Sequence, residues 1–204
     1  MRERPILMTP ANAAKCRDGT KTQTRRVVKF PVQKGVVRWE PFDTFFKPII
    51  GGVHDYYGNR SLDCPYGIVG EHLWVREQII AQDDVMVYAA DRSVVQQDGV
   101  VWPSLGECRT IPSIHMPRWA CRTLLEITAV RVQRVQDISD EDCYAEGVVV
   151  KPDAAIAARI AEDTPARMEF WALWTSIHGP ESWVENPWVW ILTFRRVLND
   201  RAEA

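Results

Sequence analysis

The sequence predicts an α+β domain whose sheet is curved or closed. Three observations favour this class. A short apolar strand is followed at once by a helix, several β-rich segments then come in succession, and helical segments precede one last apolar strand. No internal repeat and no linker interrupts this order, so the 204 residues fit one domain with insertions.

The first helix is marked at both ends. Residues 5–8 form a short apolar segment that we expect to be a buried strand. Thr9 suits the N-cap and Pro10 the first helical position, and Gly19 suits a left-handed stop. The cluster of Lys, Thr and Arg side chains at 20–26 therefore follows a short helix and enters the next strand.

The middle of the chain alternates irregular segments with strands. Residues 30–68 mix Pro, Gly and Asn with aromatic residues, which predicts an irregular segment that either covers a binding cleft or packs against the sheet. Strands are expected at 73–77 and 85–89, and residues 91–120 are expected to be loop-like. The β-rich run 123–135 is long enough to contain a bulge.

Three helices and one strand are predicted in the last third. Ser139 fits a capping box at the start of a helix that ends at Gly147. Asp153 starts an Ala-rich helix that runs to about residue 162, and Thr164 caps a third helix. Residues 187–194 are apolar on both faces, which predicts a central buried strand. Apolar residues recur at helical spacing in the third helix: Met168, Trp171, Trp174 or Ala172, and Ile177.

Composition limits the classes of partner. The net charge is −2, whereas proteins that grip long duplexes are basic over a whole face, so a nucleic-acid partner would be met locally. The five Cys form no CxxC motif, which is typical of reduced thiols in the cytoplasm. The chain has neither a signal-peptide pattern nor an apolar stretch near the ~20 residues that cross a bilayer. We therefore expect a cytoplasmic protein with no membrane partner.

Lys21 and Thr24 are the first candidates for chemistry. In a regular strand these two side chains would point to opposite faces, because successive side chains alternate. If they cooperate, the chain must bend or bulge between them, and the position directly after the Gly19 helix stop allows this. The alternative is a solvated basic edge strand.

Glu146 is the second candidate. It is expected at the end of the helix that Ser139 begins, where a carboxylate lies at the unfavourable end of the helix dipole. A residue that breaks a local rule is a candidate functional residue, although an exposed Glu on the last turn is the alternative. A Lys, a hydroxyl and a carboxylate that converge would suit acid–base or nucleophilic work on an amide.

Two further features concern ligands. Arg118 and Arg122 flank Trp119, an arrangement that would contact phosphate and stack a base, or else pack a Trp under a surface Arg. The cysteines and histidines match no standard zinc spacing, so we expect neither a metal nor another cofactor.

The segment Gly19–Arg26 resembles the GxKxxTxR signature of the ASCH domain family. Further segments resemble the family in the same order along the chain, and two of them resemble its phage and prophage branch. The family-like segments are the turn and strand Gly70–Val75, the helix ending in Glu-Gly at Ile138–Gly147 and the closing strand Trp188–Phe194; the branch-like ones are Cys64–Gly67 and Ser113–Trp119.

The resemblance implies a PUA-like β-barrel flanked by short helices. It would form a single domain over residues 1–204, with loop insertions near 30–66 and 90–120 and a helical insertion near 150–180. It also implies a cleft beside the Lys/Thr motif that accepts a nucleobase or nucleotide.

The resemblance implies an activity as well, because small bacterial members of the family remove the acetyl group from N(4)-acetylcytidine. Their catalytic Lys and Thr match Lys21 and Thr24 by motif, and their Glu matches Glu146 by its place at a helix end. Thr24 would act as nucleophile or orient the attacking water. Lys21 would act as base or stabilise the oxyanion, and Glu146 would hold Lys21 or shuttle the proton. No cofactor is needed.

Substrate contacts follow from the same resemblance. Arg26 is expected to bind a phosphate or fix the strand, and an aromatic residue from 39–66 to stack on the base. The full substrate-binding set is Arg25, Arg26, Tyr66, Arg118 and Trp119. Other family members are thought to bind or cut RNA, so the alternatives are a ribonuclease or a non-catalytic reader of RNA or modified DNA. The rim of a reader would use Arg25, Arg26, Lys29, Arg118 and Arg122.

Overall fold

The computed structural model describes residues 1–29, 36–42, 45–50, 53–54, 62–82, 85–95, 110–152, 158–160 and 162–197, and its architecture is mixed α+β. The strands are β1 (Glu3–Leu7), β2 (Gln23–Val27), β3 (Val36–Phe42), β4 (Phe45–Ile50), β5 (Val53–His54), β6 (Leu62–Asp63), β7 (His72–Arg76), β8 (Ile79–Gln82), β9 (Val85–Tyr88), β10 (Thr110–Ile111), β11 (Leu124–Arg134) and β12 (Trp188–Val197). The α-helices are α1 (Pro10–Asp18), α2 (Asp140–Ala145), α3 (Pro165–His178) and α4 (Glu181–Val184), and 3-10 turns lie at Ser113–His115, Arg118–Ala120 and Val135–Asp137.

The main sheet has the strand order β1-β7-β11-β12-β2. Strands β1 and β7 run parallel, whereas the other neighbours are antiparallel. Within the described residues no backbone pairing joins the edge strands β1 and β2, so the sheet is open and the predicted closed barrel is not found. Pro5 fits an edge position, because it cannot donate a ladder hydrogen bond to a further strand.

A side chain nevertheless links the two edges. Arg26 on β2 donates from Nη2 to the backbone oxygen of Leu7 at the end of β1, and the same nitrogen lies 3.4 Å from Met8 Sδ. The sheet is therefore curved enough to bring its edges within reach of one arginine.

Strand β12 is central and buried on both faces, as predicted from its sequence. One face packs into a core with β1, β7, β11 and helix α1, and the other packs under helices α2 and α3. The first core takes Trp188, Trp190, Leu192 and Phe194 from this strand, and the second takes Val189 and Ile191.

The predicted helix starts are confirmed by their caps. Thr9 Oγ1 accepts a hydrogen bond from the backbone N–H of Asn12, and Gly19 ends α1 with φ of 85° in the left-handed region. Ser139 and Thr164 cap α2 and α3 in the same way. These local signals predict correctly because a cap depends on neighbours only three residues away.

The strands predicted at 73–77 and 85–89 appear as β7 and β9, shifted by one residue at their ends. The predicted bulge lies in β11, between Ile127 and Ala129. The short strand β8 was not predicted; it pairs with β9 and β10 in a separate small sheet.

The expectation of an irregular segment at 30–68 is wrong at 36–42, 45–50, 53–54 and 62–63, whereas residues 64–68 are irregular as expected. Strands β3 to β6 form a further antiparallel sheet. Pro41 and Pro48 suggested loops, but both lie in strands, opposite Phe46 and Trp39 respectively. The β-branched and aromatic residues around them favour extended structure strongly enough to outweigh the proline signal.

Helix α3 buries Trp174 as predicted, but the rest of the face that it turns to the core differs from the predicted one. Its buried side chains are Ala166, Phe170 and Trp174, whereas Trp171 and Ile177 are exposed. The predicted stripe advanced by three residues at a time, which drifts around a helix of 3.6 residues per turn; the buried one advances by four. Asp153, most of the predicted helix after it and residues 96–109 lie outside the described residues.

Two findings bear on the expected surroundings of the protein. No helix in the described ranges combines the length and apolarity needed to span a bilayer. Among the described cysteines, Cys16, Cys64, Cys121 and Cys143 are free thiols.

Candidate active site

A pocket of about 210 Å³ opens beside Lys21. We call it the Lys21 pocket, and its principal side chains are Lys21, Thr24, Arg26, Glu146, Trp174 and His178. Its walls come from the end of β1, the start of α1, strand β2, the end of α2 and helix α3. It is smaller than the roughly 300–1,000 Å³ of drug-sized sites, so it suits one small ligand.

Two backbone hydrogen bonds fix the position of Lys21 directly after the Gly19 turn. Its own N–H donates to the backbone oxygen of Lys15 (2.9 Å), and the N–H of Thr22 donates to that of Ala145 (2.9 Å). Strand β2 begins only at Gln23, so the alternation of a strand does not separate Lys21 from Thr24. Both side chains line the pocket, through the change of direction that their cooperation requires.

Glu146 is the C-cap of α2, as predicted, and it is buried. Lys21 Nζ lies 2.5 Å from its Oε2 and donates to its backbone oxygen at 2.8 Å. The ammonium thus binds an orphan carbonyl at the helix end and also the carboxylate, which offsets the unfavourable dipole position of that carboxylate. Two of the three Nζ hydrogens are used in this way, which leaves one donor for a ligand.

Arg25 is a second cation on the same carboxylate. Its Nη1 donates to Glu146 Oε1 (3.0 Å) and to Gln23 Oε1 (2.7 Å), and its Nη2 donates to Asp142 Oδ2 (2.6 Å). The residue is only 4% exposed. Arg25 is predicted to bind substrate, or to lie at the rim of a reader, and in the structure its terminal nitrogens are engaged by protein groups. Its role is to hold Glu146 and Asp142 in place.

Asp142 connects this cluster to the neighbouring strand. Besides Arg25, the guanidinium of Arg131 on β11 binds its Oδ2 (3.0 Å). Burial alone would raise the pKa of Asp142, but the charge of Arg25 and the hydrogen bond from Gln23 outweigh it and hold that pKa below its usual value. The carboxylate is therefore a stable anchor for Arg25.

Thr24 lies on β2 opposite Leu192 of β12, and it is 4% exposed. Its hydroxyl forms no hydrogen bond within the part of the chain that is described. A hydroxyl that lines a pocket with its hydrogen-bonding capacity unused is free to meet a water or a ligand.

Helix α3 supplies an aromatic wall that sequence reasoning missed. Phe170, Trp174 and His178 recur at four-residue spacing and all line the pocket. The ring centroids of Trp174 and His178 are 4.2 Å apart, and those of Phe170 and Trp174 are 6.1 Å apart. The four-residue spacing is visible in the sequence, but of these three residues only Trp174 belongs to the helical series that the sequence analysis predicts. Of the aromatic residues at 39–66 that were expected to stack on the base, Tyr66 packs against the first core, and the side chains of the others lie outside the described residues.

Three predicted substrate-binding residues lie outside the pocket. Tyr66 is partly buried against the first core, and Arg118 Nε donates to Glu3 at the opposite edge strand (2.8 Å). Trp119 sits in a 3-10 turn and is 36% exposed. In the structure Tyr66 packs against a core and Arg118 pairs with a carboxylate at the surface. The expected role of these two residues and of Trp119 in binding substrate stays a prediction.

In the described parts of the chain, no group of three or more His, Cys, Asp or Glu side chains is arranged to hold a metal ion. Comparisons with protein-family models, with curated proteins and with solved structures found no match.

Proposed function

We propose that the Lys21 pocket hydrolyses the amide of N(4)-acylated cytosine nucleosides, of which N(4)-acetylcytidine is the simplest. The observation that carries this proposal is the buried Lys21–Glu146 pair, which lies in the same small pocket as the unengaged hydroxyl of Thr24. We also infer that the chain is an ASCH-type domain with a PUA-like sheet in open form. The Gly19–Arg26 motif and the Arg26 link between the sheet edges support this inference.

The chemistry assigned to each residue follows from the hydrogen-bond donors and acceptors that the protein leaves unused. The remaining N–H of Lys21 would stabilise the oxyanion that forms when a nucleophile adds to the acyl carbonyl carbon. Thr24 would supply or orient that nucleophile, which is water in the net reaction. The Lys21–Glu146 pair would take its proton and pass it to N4 as the bond between the acyl carbon and N4 breaks. Where Thr24 itself attacks, water then hydrolyses the acyl-threonine ester. Cytidine and acetate are the products.

The base would be recognised by the aromatic wall of α3. A planar pyrimidine fits against stacked rings, and stacking on an aromatic side chain contributes about 1–3 kcal/mol per base. Trp174 is held rigidly, since it is 3% exposed and packs between Phe170 and His178.

The reader alternative is less well supported, because most of its proposed rim is neutralised. Arg25 pairs with Glu146 and Asp142, Arg118 with Glu3, and Arg122 with Glu77 and Asp91. Cations whose charge is matched by carboxylates contribute little to phosphate binding. The same pairing disfavours a ribonuclease that must hold a long RNA strand.

The test is to incubate the purified protein with N(4)-acetylcytidine and to follow cytidine release by chromatography. The proposal expects release by the wild type and none above background by Lys21→Ala. Circular dichroism and the melting temperature of the variant establish that it is folded.

Two results would overturn the proposal: no release by the wild-type protein, or undiminished release by folded Lys21→Ala. Salt-dependent binding of RNA oligonucleotides without any product would favour the reader instead.

A further inference from the structure

The cationic side chains of the Lys21 pocket are not equally neutralised by carboxylates. Lys21 and Arg25 both bind Glu146, and Arg25 also binds Asp142. Arg26 differs, because no carboxylate among the described residues pairs with it; its contacts are the Leu7 backbone oxygen and Met8 Sδ. One guanidinium therefore contributes an unbalanced positive charge to a small cavity, where reduced solvation strengthens its attraction for an anion.

Three residues that line the pocket carry unused hydrogen-bond donors. Arg25 Nε, Arg26 Nε and Trp174 Nε1 are each shielded from solvent, and none has an acceptor among the residues that the structure describes. All three belong to residues that line the pocket, and Arg25 and Trp174 are more than nine-tenths buried. Buried donors without acceptors are costly, so the site favours a ligand rich in acceptor oxygens.

The start of helix α1 reinforces this preference. Thr9 and Asn12, at the first turn of the nine-residue helix, line the pocket together with Arg26. The N-terminus of a helix carries a partial positive charge that favours anions. His178 on α3 also lines the pocket, and its pKa is lowered by partial burial and then by the charge of Arg26.

We propose that the ligand of the Lys21 pocket carries a 5′-phosphate, which Arg26 binds beside the N-terminus of α1. This inference rests on the proposed function and narrows its substrate class to acylated cytosine mononucleotides. The planar guanidinium fork of arginine matches the geometry of phosphate oxygens.

The experiment compares kcat/KM for N(4)-acetylcytidine 5′-monophosphate with kcat/KM for N(4)-acetylcytidine. We expect the nucleotide to be preferred at least about tenfold, the factor that one charge-assisted hydrogen bond provides. Arg26→Gln should abolish this preference, and Arg26→Lys, which keeps the charge, should retain part of it. The matched control is Arg195→Gln, an exposed arginine paired with Glu126, which should leave the ratio unchanged.

A binding measurement separates this inference from the proposed activity. Titration calorimetry with CMP and with cytidine requires no turnover, and we expect CMP to bind at least about tenfold more tightly in an Arg26-dependent manner. That result without any hydrolysis would support the phosphate site while the proposed hydrolysis fails. Hydrolysis of both substrates at equal kcat/KM, or a preference that survives Arg26→Gln, would overturn the phosphate site while the hydrolysis stands.

Discussion

At the scale of single residues, the position of Glu146 is explained by its partners. A carboxylate at the C-terminus of a helix faces the negative end of the dipole and is destabilised there. In this protein it is the junction of a Lys and an Arg, both buried, and the Lys also binds the helix-end carbonyl. The unfavourable interaction of this carboxylate with the helix dipole is therefore offset by the Lys and Arg side chains of the segment after α1.

Glu146→Gln should therefore destabilise the fold strongly. The change leaves Lys21 and Arg25 buried with less negative charge beside them, and breaking a buried pair in this way costs about 3–5 kcal/mol. Lys21→Met should cost less, because Arg25 still pairs with the carboxylate. Urea unfolding of the two variants and the wild type measures the difference. Equal losses of unfolding free energy in both variants would contradict the conclusion that Glu146 is the shared partner of Lys21 and Arg25.

Asp142 predicts a dependence of stability on pH. Its pKa is held below the usual value of 3.8 against the opposing effect of burial, chiefly by Arg25. A carboxyl whose pKa is lowered in the fold stabilises the protein fully above its unfolded pKa, and this contribution is lost as the pH falls through the folded pKa. The wild type should thus be more stable than Asp142→Asn at neutral pH, and the gap should narrow below about pH 3.8. Unfolding free energies from pH 7 down to pH 3 test this; a gap that stays constant would show that the ion pair is not its source.

At the scale of elements, the ends of α1 and α2 form the frame of the site. The two helices end on glycines with positive φ, Gly19 at 85° and Gly147 at 81°. Lys15 of α1 donates from Nζ to the backbone oxygen of Gly147 (2.7 Å), so one helix is tied to the end of the other. Lys21 emerges between them and meets Glu146.

A matched pair of glycine substitutions tests this frame. Gly19→Ala meets nothing within 4 Å, so it should cost only the left-handed strain of about 1–2 kcal/mol. In Gly147→Ala the new Cβ would lie 3.0 Å from Lys15 Cδ and 3.3 Å from Lys21 Cβ. This variant therefore has the same backbone strain and also displaces Lys21. We expect a larger drop in melting temperature for Gly147→Ala and a larger loss of N(4)-acetylcytidine hydrolysis. The frame would be refuted if the two variants behaved alike.

At the scale of the whole molecule, the main sheet buries three of its neighbouring thiols. Burial raises the pKa of Cys16 and of Cys143 to about 12 and that of Cys64 to about 11, from an ordinary 9.0. For Cys16 and Cys143 this lowers the thiolate fraction at pH 8 roughly a thousandfold.

Native protein should therefore react slowly with a thiol reagent at these three positions. Mass spectrometry after iodoacetamide treatment at pH 8 should find them unmodified in the folded protein and modified in guanidinium chloride. Rapid alkylation of Cys16 or Cys143 in the folded state would mean that the two cores are more open than described.

The range of an interaction decided what the sequence could predict. Thr9, Gly19 and Ser139 reveal helix ends because caps act over a few residues, and the apolar run at 187–194 reveals a central strand by itself. The encounter of Lys21 with Glu146 joins positions 125 apart, so the residues alone offered two candidates but no geometry between them. Their pairing was expected only through the family resemblance.

Other features depended on packing that no local pattern encodes. The face that α3 presents to β12 brought Phe170 and Trp174 into the pocket, whereas the apolar spacing of the helix was compatible with several faces. Arg25 and Arg118 were expected at a binding surface, but carboxylates from distant segments engage them. The sequence pattern predicts a curved or closed sheet and the family resemblance implies a closed barrel, yet within the described residues the sheet edges are joined by the side chain of Arg26 instead of a backbone ladder.

The proposed hydrolysis requires Thr24, Lys21 and Glu146 to act together on an amide. The most direct measurement is the initial rate of cytidine release from N(4)-acetylcytidine by the wild type and by Thr24→Val, which removes the hydroxyl but keeps the shape of the side chain. We predict turnover by the wild type and a rate at least about a hundredfold lower for Thr24→Val at an unchanged melting temperature. No turnover by the wild type, or equal rates for the two proteins, would contradict the account.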